Sequence, residues 1–285
     1  MTNTLNDASL PRIGAGRRRE PVDVLGLEER GFSAWPAPQN VYFGGWVFRL
    51  GGGFTKRANS ANALGDRQDF RADSINAWTP QRDFVEVRTE AERFYESKGL
   101  PTIFRLTPLA GADADLALAA AGYEALDPST VMTVALETPR LDASVKIDPG
   151  PTPTWLNGVT AANAVTPSQR AAHDKIVQSI ALPAAFATWY ASGRPAGYGM
   201  AVLDRGAVGL FDIVVRPEAR GLSGGRTLAQ SLMAWARQNG AVSAYLQVTN
   251  ANRIARQLYE KLGFTPAYNY HYRRKPLKTA TARQS

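Results

Sequence analysis

Phe211-Asp212-Ile213-Val214-Val215 is followed by Arg216-Pro217-Glu218-Ala219-Arg220-Gly221-Leu222-Ser223-Gly224-Gly225-Arg226, and the pattern then turns helical as far as Gln238. A strand that runs into a glycine-bearing turn at a helix N-terminus suits an anion. Glycines let backbone N–H groups approach the ligand, and the helix dipole adds partial positive charge there. Arg220 and Arg226 can add charge-assisted contacts. The dinucleotide pattern G-x-G-x-x-G is absent, and no Gly-Lys-Ser/Thr follows as a Walker loop requires. Taken alone, the turn is open to two readings: a phosphate site or an ordinary strand–helix connector.

Working outward, three strands precede this segment as a meander: Phe186–Ala191, Tyr198–Leu203 and Val208–Val215. After it the chain alternates: helix Gly225–Gln238, strand Ala244–Val248, helix Asn252–Leu262 closed by Gly263, strand Tyr268–Arg273. Such an order predicts an α/β (α+β) fold with a mixed, mostly antiparallel twisted sheet flanked by helices. Asn252 is a suitable helix cap. Ala255, Leu258 and Leu262 form one buried stripe, and Tyr259 lies off it, either as a packing aromatic or with its hydroxyl at the sheet edge.

Further upstream, Trp155–Ile180 reads as helical. Residues 139–153 hold four prolines and read as a linker. The first half offers a helix at Leu25–Trp35 and a hairpin (Asn40–Phe43 and Trp46–Leu50) around Gly44-Gly45. Phe54–Ser60 is expected as a third strand. A helix over about Arg88–Ser97, a strand at Thr102–Leu106, a helix at Asp113–Ala121 and a strand at Thr130–Leu136 complete it. The expected organisation is a tail at 1–20, a first lobe at 21–138, the linker at 139–153, a second lobe at 154–276 and a tail at 277–285.

Composition narrows the chemistry. With 44% hydrophobic and 20% charged residues the chain is of globular type. No run approaches a membrane span, and no apolar stretch follows Arg17-Arg18-Arg19, so cytoplasmic residence is expected. With no cysteine, disulfides, thiolate metal sites and a cysteine nucleophile are excluded. His173 and His271, the two histidines, are expected at the surface, and no metal is expected. Residues 1–20 contribute +2 and residues 273–285 contribute +5 to a net charge of +8, leaving +1 for the body. The excess therefore sits on the ends, as solvated tails or as a docking element for an acidic partner. Nucleic acid is not expected as a partner.

Val215-x-Pro217-x-x-Arg220-Gly221-x-x-x-Gly225, paired with Asn252-x-x-Ala255-x-x-Leu258-Tyr259-Glu260-Lys261-Leu262-Gly263-Phe264, resembles the GNAT acetyltransferase superfamily. Tyr268-x-Tyr270-x-Tyr272-Arg273 fits its end strand. The resemblance implies acetyl-CoA as cosubstrate and an amine acceptor. The strand through Ile213 and Val215 would bond the pantetheine, and Arg220, Gly221, Leu222, Ser223, Gly224, Gly225 and Arg226 would hold the pyrophosphate. Asn252 would contact the pantetheine arm, and Tyr259 would serve as general acid. Ser223 departs from the pattern, standing where the family's middle glycine belongs. Trp35-Pro36-Ala37, Gly45-Trp46 and Arg57-Ala58-Asn59-Ser60 resemble the front half of a two-lobed bacterial group, a tandem GNAT-like arrangement with a degenerate first lobe. Ala121-Gly122-Tyr123 echoes Leu262-Gly263-Phe264, with Leu118 in the place of Tyr259. Gly65 to Gly99 is glycine-free between its ends, so the first lobe lacks a phosphate turn.

Without cysteine, the economical chemistry is direct attack of a neutral amine. The Val215 N–H would donate to the developing oxyanion, and Tyr259 would protonate the thiolate. Asp212 would take the amine proton, directly or through water; the other reading of Asp212 is a solvated or salt-bridged carboxylate. One acyl-CoA is expected per chain, in the second half, with Arg57 and Asn59 of the first half facing the acceptor. A non-catalytic acyl-CoA-binding or interaction module is the alternative. The acceptor's identity and the oligomeric state are not legible.

Overall fold

The computed structural model describes residues 22–65, 83–137 and 141–277. The readings for the N-terminal tail and for nearly all of the C-terminal one lie outside these residues. The order is α1 (Val24–Ala34), β1 (Gln39–Phe43), β2 (Trp46–Leu50), β3 (Ala61–Ala63), α2 (Phe84–Glu96), β4 (Thr102–Leu106), α3 (Gly111–Ala120) and β5 (Glu124–Ala135). It continues with β6 (Val145–Asp148), α4 (Pro153–Ala162), α5 (Pro167–Gln178), β7 (Ala184–Ala191), β8 (Arg194–Asp204) and β9 (Ala207–Val215). Then come α6 (Gly224–Gln238), β10 (Ser243–Thr249), α7 (Arg253–Lys261) and β11 (Thr265–Lys275). Among the described residues, no helix is long and apolar enough to cross a membrane.

Three expectations need correction. Phe54–Ser60 is not a strand: Lys56–Ala58 forms a single 3-10 turn, and the strand begins only at Ala61. Asn59 imposes this by bonding four backbone groups. Its Oδ1 accepts from the Gly51 and Gly53 N–H groups, and its Nδ2 donates to the Phe54 and Thr55 carbonyls. Trp155–Ile180 is two helices, because Pro167 opens a second one behind a Thr166–Gln169 capping box. Residues 145–148, within the stretch read as a linker, form the edge strand β6 against β7.

Among the described residues all strands join one sheet, in the order β1-β2-β3-β4-β11-β5-β10-β9-β8-β7-β6. Pairs β3–β4 and β9–β10 are parallel; the others are antiparallel. Matching β1–β5 with β7–β11 makes the order read alike from either side of its centre. The last strand of each half lies in the other half's sheet, β5 beside β10 and β11 beside β4. The helix ends repeat as well. The Tyr123 N–H donates to the Leu118 carbonyl at 3.0 Å and the Phe264 N–H to the Tyr259 carbonyl at 3.0 Å, each across a glycine of positive φ. Leu118 therefore occupies the structural position of Tyr259.

At the centre, Glu28 of α1 is fully buried and pairs with Arg105 of β4, while the Tyr268 hydroxyl donates to Glu28 Oε1 at 2.5 Å. The Arg105 guanidinium also lies 3.9 Å from the Tyr270 ring centroid. A buried pair of this kind is costly to break, so it ties α1 to the strands where the halves exchange. Helices α6 and α7 cover one face of the second half, and α1, α4 and α5 cover the other.

Candidate functional site

Strands β9 and β10 pair only from Ala207/Ser243 to Leu210/Leu246. Beyond that point they diverge, because β9 is bulged against β8: Tyr198 faces Val214, but Met200 faces Phe211. The extra residue lies at Asp212–Ile213, and Asp212 takes φ +50. That value belongs to the left-handed region, which is costly for most side chains and most tolerable for Asn or Asp. The Arg216 N–H donates to Ala196 of β8 at 2.9 Å. Strand alternation therefore turns the Val215 N–H to the opposite edge, the one β10 has left. The bulge opens a wedge with a backbone donor on its wall.

The wedge leads to the N-terminus of α6. Gly221 adopts φ +84, and a side chain there would be strained. Gly224 serves packing, since a Cβ would stand 2.3 Å from the Trp189 ring. It seats the first turn of α6 directly on the sheet. Gly225 faces more open space, its nearest neighbour being Leu258 Cδ2 of α7 at 3.3 Å. Arg220, Leu222, Ser223 and Arg226 are exposed around this turn, so backbone and guanidinium groups converge on solvent. Ser223 takes φ +59 and makes no capping bond with its side chain. It thus adopts a glycine's conformation without being glycine, at a cost of roughly 1–2 kcal/mol. Ser223→Gly is expected to leave stability unchanged or raise it by up to about 1 kcal/mol, after the extra unfolded-state entropy of glycine. Thermal unfolding tests this; a clear loss of stability would show that the serine hydroxyl has a role.

Asn252 caps α7, accepting from the Ala255 N–H at 3.1 Å, and it is exposed beside the wedge's lower strand. The expectation for Tyr259 needs correction too. It is not off the buried stripe; it is the most buried residue of α7, 8% exposed, with its ring 5.8 Å from Phe264. The reason is geometric: Tyr259 stands four residues after Ala255 and so shares its face. Among the described residues its hydroxyl has no hydrogen-bond partner. Burial pushes its pKa up to about 12.

On the opposite face of the sheet lies a group the sequence did not reveal. His173 is 3% exposed, not at the surface, and its Nε2 lies 2.8 Å from Asp212 Oδ2. Trp155 stacks on the imidazole at 6.0 Å, while Trp35 at 6.0 Å and Phe54 at 5.5 Å close the cage. Burial alone would lower the His173 pKa, but hydrogen bonds and charge from Asp212 and Asp174 outweigh it, and the value is raised. Asp212 is therefore a paired carboxylate at a strained bulge. His271, also expected at the surface, is half-buried and lies 2.9 Å from Asp115. Asn59 does not face an acceptor, because it is buried and all its bonding capacity is used within its own loop. Arg57 does reach the wedge: its Nε donates to Gln247 Oε1 of β10 at 3.0 Å.

Three comparisons bear on this geometry. The profile of the family described as "Probable histone acetyltransferase Rv0428c C-terminal" matches residues 22–273. The Bacillus subtilis (strain 168) protein named "Uncharacterized N-acetyltransferase YobR" is 30% identical over 257 residues, covering 88% of this chain and 98% of its own. Among solved structures, a GCN5-related N-acetyltransferase from Kribbella flavida superposes with TM-score 0.64 at 15% identity, over 90% of this chain and 96% of its own. A tandem GNAT protein from the clavulanic acid biosynthesis pathway gives 0.58 at 13% identity, over 92% and 90%.

Proposed function

The chain belongs to the GNAT superfamily of N-acetyltransferases, in the family named for the C-terminal part of a probable histone acetyltransferase, and on that premise we propose direct transfer of an acetyl group from acetyl-CoA to an amine in the β9–β10 wedge. The observation that carries the proposal is the wedge itself. A bulged strand presents the Val215 N–H on the edge its neighbour has left, and that edge runs to a glycine-bearing helix N-terminus. Backbone donors of this type suit an amide-bearing arm and a pyrophosphate at its far end.

Acetyl-CoA would supply the activated acyl group and a thiol leaving group. Ile213 and Val215 would hold the pantetheine arm; the turn from Arg220 to Arg226, through Gly221, Leu222, Ser223, Gly224 and Gly225, would hold the pyrophosphate; Asn252 would meet the arm from α7. The Val215 N–H would donate to the oxygen that gains charge as the amine attacks. The Tyr259 hydroxyl would donate to the departing sulfur. Asp212, held by His173, would accept the proton the amine gives up, directly or through water. Because the chain has no cysteine, no thiol relay competes with direct transfer.

Gly225 provides the test. A Cβ there meets the flexible end of Leu258 at 3.3 Å, so the fold should survive while the branched side chain blocks approach to the turn's N–H groups. Titration calorimetry is expected to show one CoA per wild-type chain and at least a tenfold weaker Kd for Gly225→Val. Unaltered affinity in the folded variant would remove the phosphate assignment. Two sites per chain would end the assignment of the wedge to a single half.

A further inference from the structure

We propose that the acceptor is a small molecule carrying a carboxylate a few bonds from its reactive amine, of amino-acid type, with Arg57 as the residue that selects it; this rests on the acetyltransfer reading above. The observation is a guanidinium placed at the fork of the wedge. Strands β9 and β10 last pair at Leu210/Leu246, so Phe211 and Gln247 are the first residues of the fork. Arg57, from the 3-10 turn of the first half, touches both. Its Nε donates to Gln247 Oε1 at 3.0 Å, and its guanidinium lies 5.3 Å from the Phe211 ring centroid and 5.4 Å from that of Trp35.

The Arg57 guanidinium is oriented but not satisfied. The Tyr270 hydroxyl donates to the same Gln247 oxygen at 3.2 Å, which fixes the direction of that carbonyl. Two aromatic faces hold the guanidinium plane. Among the described residues, Nη1 and Nη2 of Arg57 donate no hydrogen bond, and no carboxylate pairs with it. Its neighbour Arg49 differs, donating to the Phe32, Trp35 and Arg57 carbonyls. A half-buried guanidinium whose Nε is used and whose Nη edge is open is a bidentate receptor for a planar oxyanion. A planar carboxylate matches the open Nη edge, and the adjacent Lys56 adds no free charge, being bonded to Asp127 at 2.7 Å.

An anion stands on the same aromatic wall. Asp212 directly follows Phe211, and the Trp35 ring that Arg57 covers also packs against Asp212's partner His173. The wall thus carries an open guanidinium for a carboxylate and, beside it, the His173-held Asp212 that would take the amine's proton, an arrangement suited to an amine with a carboxylate a few bonds away. A lysine side chain within a protein carries no carboxylate near its amine and would leave Arg57 unmatched.

The test uses the full-length protein, with thiol release from acetyl-CoA assayed on free amino acids, on the matching amino-acid carboxamides and on end-blocked lysine peptides. The wild type is expected to favour acids over their carboxamides by on the order of 10²-fold in kcat/KM, since a guanidinium left unpaired in the occupied wedge penalises the analogue. In Arg57→Gln that ratio should fall at least tenfold, through the KM of the acid, and Arg57→Lys should recover part of it. CoA affinity measured by calorimetry reports whether each variant is folded. Equal use of acids and carboxamides by the wild type, preference for the lysine peptides, or an equal loss for both substrate types in Arg57→Gln would overturn the inference. Should the wild type bind no CoA at all, the acetyltransfer reading falls and this one with it; CoA binding without acid preference removes this one alone.

Discussion

Tyr259→Phe is expected to lower kcat by about 10²-fold or more while the Kd for acetyl-CoA stays nearly constant, the usual scale for a lost proton donor. The substitution removes one oxygen from a ring that remains packed on Phe264, so little change in the fold should follow. The pKa of about 12 bears on the mechanism in two ways. It keeps the hydroxyl protonated at every working pH, so Tyr259 is always ready to donate. It also makes full proton release harder than for a tyrosine in water. The same dry surroundings raise the proton affinity of a departing thiolate, and the two effects oppose each other. The alkaline side of the kcat profile should accordingly show no fall from Tyr259 ionisation below about pH 11. An unchanged kcat in Tyr259→Phe, in an assay limited by chemistry, would take the hydroxyl out of the reaction.

Expression of residues 150–285 alone is expected to abolish both cooperative folding and activity. The fragment keeps α6, the glycine turn and α7, yet it loses β5, which pairs with β10 from Ala135/Ser243 to Ser129/Thr249. It also deprives β11 of both neighbours, β4 and β5. Trp35 and Phe54 leave the His173 cage, and the face of Phe211 is uncovered. A domain's net stability of about 5–15 kcal/mol does not survive the loss of a central strand and one side of its core. Circular dichroism with thermal unfolding checks the fold, and acetyl-CoA turnover checks the activity. A fragment with a cooperative melt and native kcat/KM would show that the exchanged strands contribute no essential stability. Co-expression with residues 1–149 should restore activity, since the missing strands are then supplied in trans.

Much of the second half was legible because its signals are local. Strand alternation, the stop at Gly263, the Asn252 cap and the glycine turn each depend on residues a few positions apart. The same holds for the hairpin at Gly44-Gly45. Tyr259 stands out in the sequence as a candidate acid, but its burial does not, since a helix nine residues long offers too few turns to centre its apolar face. His173 was missed altogether: its cage is assembled from Trp35, Phe54 and Trp155, two of them more than a hundred residues away. Asn59 looked like a polar residue available for a ligand because its four partners are backbone groups, which leave no trace in side-chain spacing.

Residue order alone was sufficient for the mixed α/β class, for the glycine-bearing turn at the α6 N-terminus and for the asymmetry between Tyr259 and Leu118, since each of these is written within one or two elements. It could not reveal that β5 and β11 change places. A strand's alternation is the same whichever neighbour it pairs with, and the choice is made by burial at the centre, where Glu28, Arg105 and Tyr268 must find one another. The acceptor wall has the same origin. Arg57, Asp212 and Gln247 come from three distant segments, and only the assembled sheet, with α1 and α5 packed against it, brings their charges and hydrogen bonds together.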